Sequence, residues 1–254
     1  MTTPSSGSAD SELTVALVHG AFADSSGWYG VITRLRAAGV PVRAIPNPLR
    51  GVKHDAAYVA SALAQLPGRV LAVGHSYGGA VITNAALPAG NVVGLVYVAA
   101  FAPDEGETLQ DIEAGSSDSV LNSALQQRTY PDGDDGTTAG ELYIDPAKFR
   151  DAFAADLSEQ EAALGALTQR PVSVFAFSEP TSKPAWRSLP SWAAVATGDK
   201  AAGSDVVLKM ARRAGATITQ IDASHVPMQS QSQAVTDVIL SAVEALRANQ
   251  EQPR

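Results

Sequence analysis

The stretch that most limits what this chain can fold into is Arg69–Ala85, RVLAVGHSYGGAVITNA. Val70–Val73 is a short apolar run rich in β-formers, long enough for one buried strand. Tyr77–Ala86 is Ala-rich and reads as a helix, with Pro88 as its expected stop. Between them lies Gly74-His75-Ser76-Tyr77-Gly78, a G-x-S-x-G pattern at a strand-to-helix turn. By average Gly and Ser usage the five letters alone arise in about one chain in ten of this length, so their context carries the weight. A serine there takes a strained backbone that lifts its hydroxyl clear of the sheet. Gly74 and Gly78 have no Cβ, which lets strand and helix approach closely. The N–H of Tyr77 opens the helix and faces any negative charge forming beside Ser76.

A chain of 254 residues, 45% of them apolar, can bury one large α/β core or two small ones. Its formal charge of −8 argues against nucleic acid or an anionic membrane as the main partner. The chain contains no cysteine, which excludes disulfides, thiolate metal sites and a cysteine nucleophile. Residues 1–12 are rich in Ser, Thr and Gly without an apolar core; they read as a disordered tail, not a signal peptide or anchor. No apolar run is long enough to cross a bilayer. The expectation is a cytoplasmic protein acting on a small molecule, with a homodimer left open.

From the start, Leu13–Val18 is a buried strand followed by His19-Gly20-Ala21-Phe22. Asp24, Ser25 and Ser26 offer caps for a helix through Trp28, Ile32 and Leu35 that stops near Gly39. A second strand spans 40–45, a helix about 55–66, then come the Ser76 unit and a further strand at 92–99. This alternation is that of a parallel sheet with helices on both faces. It breaks at Pro103. Residues 104–191 are more polar, with an acidic Gly/Ser/Thr-rich part that predicts a hairpin turned at 132–136 and helices near 146–156 and 158–169. Their apolar residues are too scattered for a separate core, so this is an insertion over a core formed by 13–103 and 192–254. The alternation resumes with a strand at 192–197, a helix at 204–214, a strand at 216–221 and a closing helix at 233–248.

A serine hydroxyl needs a base within hydrogen-bond reach, and that base needs a carboxylate to orient it. Of the four histidines, His75 lies inside the turn and points away from its neighbour's hydroxyl. His19 fixes a loop, and His54 sits at the edge of a helix on the sheet's side. His225 follows the last strand at the carboxyl edge, where Ser76 also emerges and where open α/β sheets place their ligands. It is the expected base. Asp199, after the strand at 192–197, is preferred as the acid over Asp104, after the strand at 92–99; both satisfy the chain order Ser-Asp-His. Asp222 is read as shaping the His225 loop. The Asp132/Asp134/Asp135 run has no Glu to close a calcium loop and reads as a solvated turn, so no metal is expected. A second oxyanion donor besides Tyr77 is available from the N–H of Ala21. Phe22 would look into the pocket, with Trp28 packed behind it.

VHGAFADSSGW and GHSYGG resemble the α/β-hydrolase superfamily, and within it the branch of plant methylesterases and hydroxynitrile lyases with many bacterial esterases. The resemblance runs over nearly the whole chain. It implies the α/β-hydrolase fold, a mostly parallel central sheet with helices on both faces and a lid at about 104–191. It also implies Ser76 as nucleophile, Asp199 as acid, His225 as base, and the backbone N–H groups of Ala21 and Tyr77 as oxyanion donors. Relatives often carry a G-T-E-D-R-type turn before the acid and a proline after it, where this chain has Ala196-Thr197-Gly198-Asp199-Lys200-Ala201-Ala202-Gly203. Lyases of the branch carry Thr in the position of Gly20 and Lys in that of Val226; both groups are missing here, which favours water attack on an acyl-enzyme. The expected function is a cofactor-free serine hydrolase of a small-to-medium apolar carboxylic ester or lactone, with Phe22 and Val226 in its pocket. Two readings stand beside it: a cofactor-free peroxidase-like enzyme and a small-molecule-binding sensor.

Overall fold

The structure, a computed structural model, describes residues 12–133 and 135–251. The disordered tail expected at 1–12 and Asp134 of the expected acidic turn lie, but for Glu12, outside the described residues.

Strand β1 (Leu13–Val18) is buried along its whole length, as a strand covered on both faces must be. A 3-10 turn at Ser25–Trp28, capped by the Asp24 side chain on the Ser26 N–H, leads into α1 (Tyr29–Ala37). There follow β2 (Val42–Ile45), α2 (Val52–Ala64), β3 (Arg69–His75), α3 (Tyr77–Ala89) and β4 (Val92–Val98). After the intervening segment the sheet continues with β8 (Ser191–Ala196), α9 (Ser204–Arg213) and β9 (Thr217–Ile221). The chain closes with α10 (Pro227–Ser230) and α11 (Ser232–Glu251). The six core strands lie in the order β2-β1-β3-β4-β8-β9, and every pairing is parallel. The winding reverses between β1 and β3, which opens a crevice beyond their carboxyl ends. Helix α3 runs one residue past Pro88 and ends at Gly90, which takes the left-handed conformation with φ 79°. A proline in the last turn removes only one backbone bond, so the expected stop is displaced by a residue.

Between β4 and β8 the chain forms α4 (Leu109–Ala114), α5 (Leu121–Ala124), β5 (Leu125–Pro131), β6 (Thr138–Ile144), α6 (Phe149–Phe153), α7 (Glu159–Thr168), β7 (Val172–Ser173) and α8 (Phe175–Ser178). The three strands make a small antiparallel sheet in the order β5-β6-β7, with the acidic turn between β5 and β6. The segment's buried helical residues Leu109, Leu121, Phe149 and Phe153 belong to one apolar cluster with the main sheet. The two ends of the segment are tied together: Thr181 Oγ1 donates to the Asp104 carbonyl at 2.6 Å and Trp186 Nε1 to the Pro103 carbonyl at 3.0 Å. Among the described residues no helix is long and apolar enough to cross a membrane.

Candidate active site

Ser76 stands between β3 and α3 with φ 52° and ψ −125°, a region that side chains with a Cβ rarely occupy. Three backbone bonds hold it there. Its N–H donates to the Val98 carbonyl at 3.2 Å, and its carbonyl accepts from Gly79 at 2.9 Å and from Phe101 at 3.2 Å. The turn depends on its glycines. A Cβ on Gly74 would lie 2.5 Å from the Gly78 carbonyl oxygen, and one on Gly78 would lie 2.6 Å from that of Val18.

The hydroxyl of Ser76 lies 2.8 Å from His225 Nε2, and His225 Nδ1 lies 2.8 Å from Asp199 Oδ2. Asp199 and His225 are each only 1% exposed, and Ser76 is 6% exposed. The other Asp199 oxygen accepts from the backbone N–H groups of Ala201 (2.9 Å) and Ala202 (3.0 Å). The carboxylate is therefore satisfied on both oxygens, as a buried charge requires. Despite the departure around it, the turn 199–203 forms a nest for this carboxylate. Asp104, the alternative, is far from this role: it pairs with Arg187 at 2.5 Å and is partly exposed.

The remaining histidines divide as their positions dictate. His75 Nε2–H donates to the His225 carbonyl at 2.8 Å, so its ring faces away from the Ser76 hydroxyl and braces the His225 loop. Burial, reinforced by His225, holds its pKa well below the usual value, so it is neutral. Trp28 packs edge-on against it, behind the site as expected. His19 donates from Nδ1 to the Gly20 carbonyl and accepts at Nε2 from the Asn47 N–H at 3.0 Å, a loop clamp between β1 and β2. His54 departs from the expectation of a sheet-facing residue: its side chain is 64% exposed. Its place in the packing is taken by the next residue, Asp55, which is fully buried and accepts from the Tyr77 hydroxyl at 2.8 Å.

Tyr77 is the first residue of α3, so its N–H has no acceptor within the helix. The loop bearing Ala21 lies against the nucleophile: a Cβ on Gly20 would be 2.7 Å from Ser76 Cβ. Beside the site lies a cavity of about 260 Å³. Phe22, Phe149, Phe153, Leu157 and Val226 line its apolar part, and Asp24 and Glu161 stand among its polar lining. Ser76 is not in the lining; Phe153 is, and its ring centroid is 4.9 Å from that of His225. Leu109 and Leu121, equally apolar members of the segment, are buried in the core and do not line the cavity.

The family model described as "Alpha/beta hydrolase family" matches residues 15–238. The chain is an α/β hydrolase. It is 27% identical over 246 residues to the Phoma sp. protein described as "Probable hydrolase R7", a match covering 89% of this chain and 96% of that one. Among solved structures, polyneuridine aldehyde esterase superposes with a TM-score of 0.76 at 21% identity, covering 91% of this chain and 99% of that one. A methylesterase from Arabidopsis gives 0.74 at 20%, with the same coverage. A pyrethroid hydrolase from Sphingobium faniae gives 0.73 at 21%, covering 92% and 98%. At these identities the three structures bear on the fold alone.

Two features of this hydrolase's site escape a reading of the chain. The His225 loop is held by Asp156, between α6 and α7, which accepts from the Ser224 N–H at 3.0 Å and from the Ser224 hydroxyl. Asp222, expected to shape that loop, is exposed instead. The second is Glu113 of α4, only 4% exposed and joined through Ser119 to the Ala201 carbonyl in the loop that carries Asp199. Neither residue stands in a motif, and each is brought to the site only by the folding of the inserted segment.

Proposed function

We propose that this α/β hydrolase cleaves small-to-medium apolar carboxylic esters through an acyl-enzyme on Ser76. The observation that carries the reading is the unbroken hydrogen-bonded chain Ser76–His225–Asp199, two contacts of 2.8 Å among three buried residues. Asp199 accepts from Nδ1–H of His225 and so leaves Nε2 free to act as base. As Ser76 Oγ attacks the ester carbonyl, its proton passes to Nε2. The carbonyl oxygen, now negative, accepts from the N–H groups of Tyr77 and Ala21. Collapse of the tetrahedral intermediate breaks the ester C–O bond, and the leaving alkoxide takes the proton back from Nε2. Water then repeats the sequence on the acyl-enzyme and releases the acid.

The cavity supports the substrate class. Its volume of about 260 Å³ is near the lower end of ligand pockets, and its inner wall is aromatic and aliphatic. Hydrogen bonds from Ser26 hold Asp24 below the usual carboxylate range against the opposing effect of burial, and bonds from Ser158 do the same for Glu161. Both are ionised at neutral pH and repel an anionic substrate. Residues 104–191 serve as the lid, since Phe149, Phe153 and Leu157 of this segment supply much of the apolar wall. The test is turnover of a p-nitrophenyl ester series by the wild type and by Ser76→Ala. The wild type should prefer short apolar acyl groups over a negatively charged one, and Ser76→Ala should lose at least about 10³-fold in kcat. Turnover persisting in Ser76→Ala would overturn the nucleophile, and so would binding without turnover in the wild type.

A further inference from the structure

Glu113 is a buried acid that the hydrolytic chain does not use. It projects from α4 toward the loop that carries Asp199, and its contacts form a directed series. Ser119 Oγ lies 3.2 Å from Glu113 Oε1 and 2.7 Å from the Ala201 carbonyl oxygen. A hydroxyl has one proton, and the shorter contact, to an acceptor-only carbonyl, claims it. Of the two lone pairs on the Ser119 oxygen one accepts the Leu121 N–H at 3.3 Å, and the other accepts from Glu113 when its carboxyl is protonated. Burial raises its pKa to about 7 against the bond from Ser119, and the Asn122 N–H completes its contacts. The charged groups that face it across the loop are His225, which favours its ionisation, and Asp199, which opposes it.

The series continues through one peptide unit. The Ala201 carbonyl and the Ala202 N–H belong to the same amide, and that N–H donates to Asp199 Oδ1 at 3.0 Å. A donor on the carbonyl polarises the amide and strengthens what its N–H gives. We infer that Glu113 is a positioning residue for Asp199, acting through the Ser119 hydroxyl and the Ala201–Ala202 peptide. The inference rests on the proposed hydrolytic reading only in taking Asp199 as the partner of His225. When Glu113 ionises it ceases to donate, the Ser119 proton turns toward the new carboxylate, and the Ala201 carbonyl loses its donor. The support of Asp199 is thereby tied to the protonation of an acid on the inserted segment.

Two measurements test this on the full chain. The first is a ¹H NMR titration of the His225 imidazole, assigned by its loss in His225→Gln, in the wild type and in Glu113→Gln. Glutamine keeps a donor for Ser119 and an acceptor for Asn122 but cannot ionise. The wild-type His225 resonance should report an inflection near pH 7 that comes from Glu113. Glu113→Gln should lack it. The second is steady-state kinetics on p-nitrophenyl acetate: Ser119→Ala and Glu113→Ala should each lower kcat about tenfold at unchanged KM, and Glu113→Gln, which keeps the donor, should restore most of that loss. Superimposable His225 titrations, or wild-type kcat in Ser119→Ala, would overturn the inference. The titration needs no substrate, so a chain that hydrolyses no ester would defeat the proposed function and still leave this inference decided.

Discussion

His19 and Glu113 flank the Ser76–His225–Asp199 chain, are both buried, and carry opposite pH signatures. Burial lowers the His19 pKa from 6.5 to about 4. The unfolded chain takes up that proton as pH falls through 6.5 and the folded one does not, so stability present above 6.5 is lost on the way down to about 4. Burial raises Glu113 from 4.5 to about 7. Here the unfolded chain releases its proton first, so stability present below 4.5 is lost as pH rises to about 7. Each displacement corresponds to something on the order of 3 kcal/mol. Glu113→Gln removes the second effect alone. Its melting temperature relative to wild type should therefore rise between pH 4.5 and 7 and level off above; a difference independent of pH would contradict a buried, neutral Glu113. Neither group announces itself in the sequence. Ser76, Asp199 and His225 do, because each follows a β-rich apolar run at the same edge of a parallel sheet, and strand periodicity is legible. Glu113 and Asp55 look like ordinary helical acids, and only the packing of their helices buries them.

Among the elements, the inserted segment is the one whose role a linear reading underrates. GSSDSV opens the part of the segment that reads as acidic and Gly/Ser/Thr-rich. In the fold it is a junction: Asp118 accepts from the Ser204 hydroxyl at 2.7 Å and from the Asp205 N–H at 3.1 Å, capping the start of α9. Ser116 donates to Asp205 at 2.5 Å, and Ser119 reaches the Ala201 carbonyl. Further along, Asp156 grips Ser224 beside His225. The segment thus braces the loops of both Asp199 and His225 as well as lining the cavity. The hairpin between β5 and β6 and the helices α6 and α7 fall where the turn residues place them, α6 shorter than the expected 146–156, and a Ser158–Glu161 capping box starts α7. The tertiary attachments are not legible in the chain, because short polar side chains carry no periodicity. Asp156→Ala should loosen the His225 loop. Asp156 is partly solvated, so the expected cost is about 1 kcal/mol, a fall of about 2–4 °C in melting temperature. The kcat should fall about fivefold. An unchanged kcat with that same thermal shift would show the bond to be structural only.

For the molecule as a whole, a fully parallel six-stranded sheet explains why residues 149 positions apart in sequence meet at one hydroxyl. Reversal of winding between β1 and β3 leaves room for Ser76 at the crevice, and the inserted segment covers that same edge. On the proposed function, the net charge of −8 and the carboxylates among the cavity's lining residues would act together in favouring neutral substrates. The central claim is that this architecture exists to make Ser76 a nucleophile. The most direct measurement is peptide mapping by mass spectrometry after incubation with a fluorophosphonate. A single adduct on Ser76, with loss of turnover in proportion to labelling and no adduct in Ser76→Ala, is the expected result. An adduct on another serine, or none in a preparation that turns over esters, would contradict the claim.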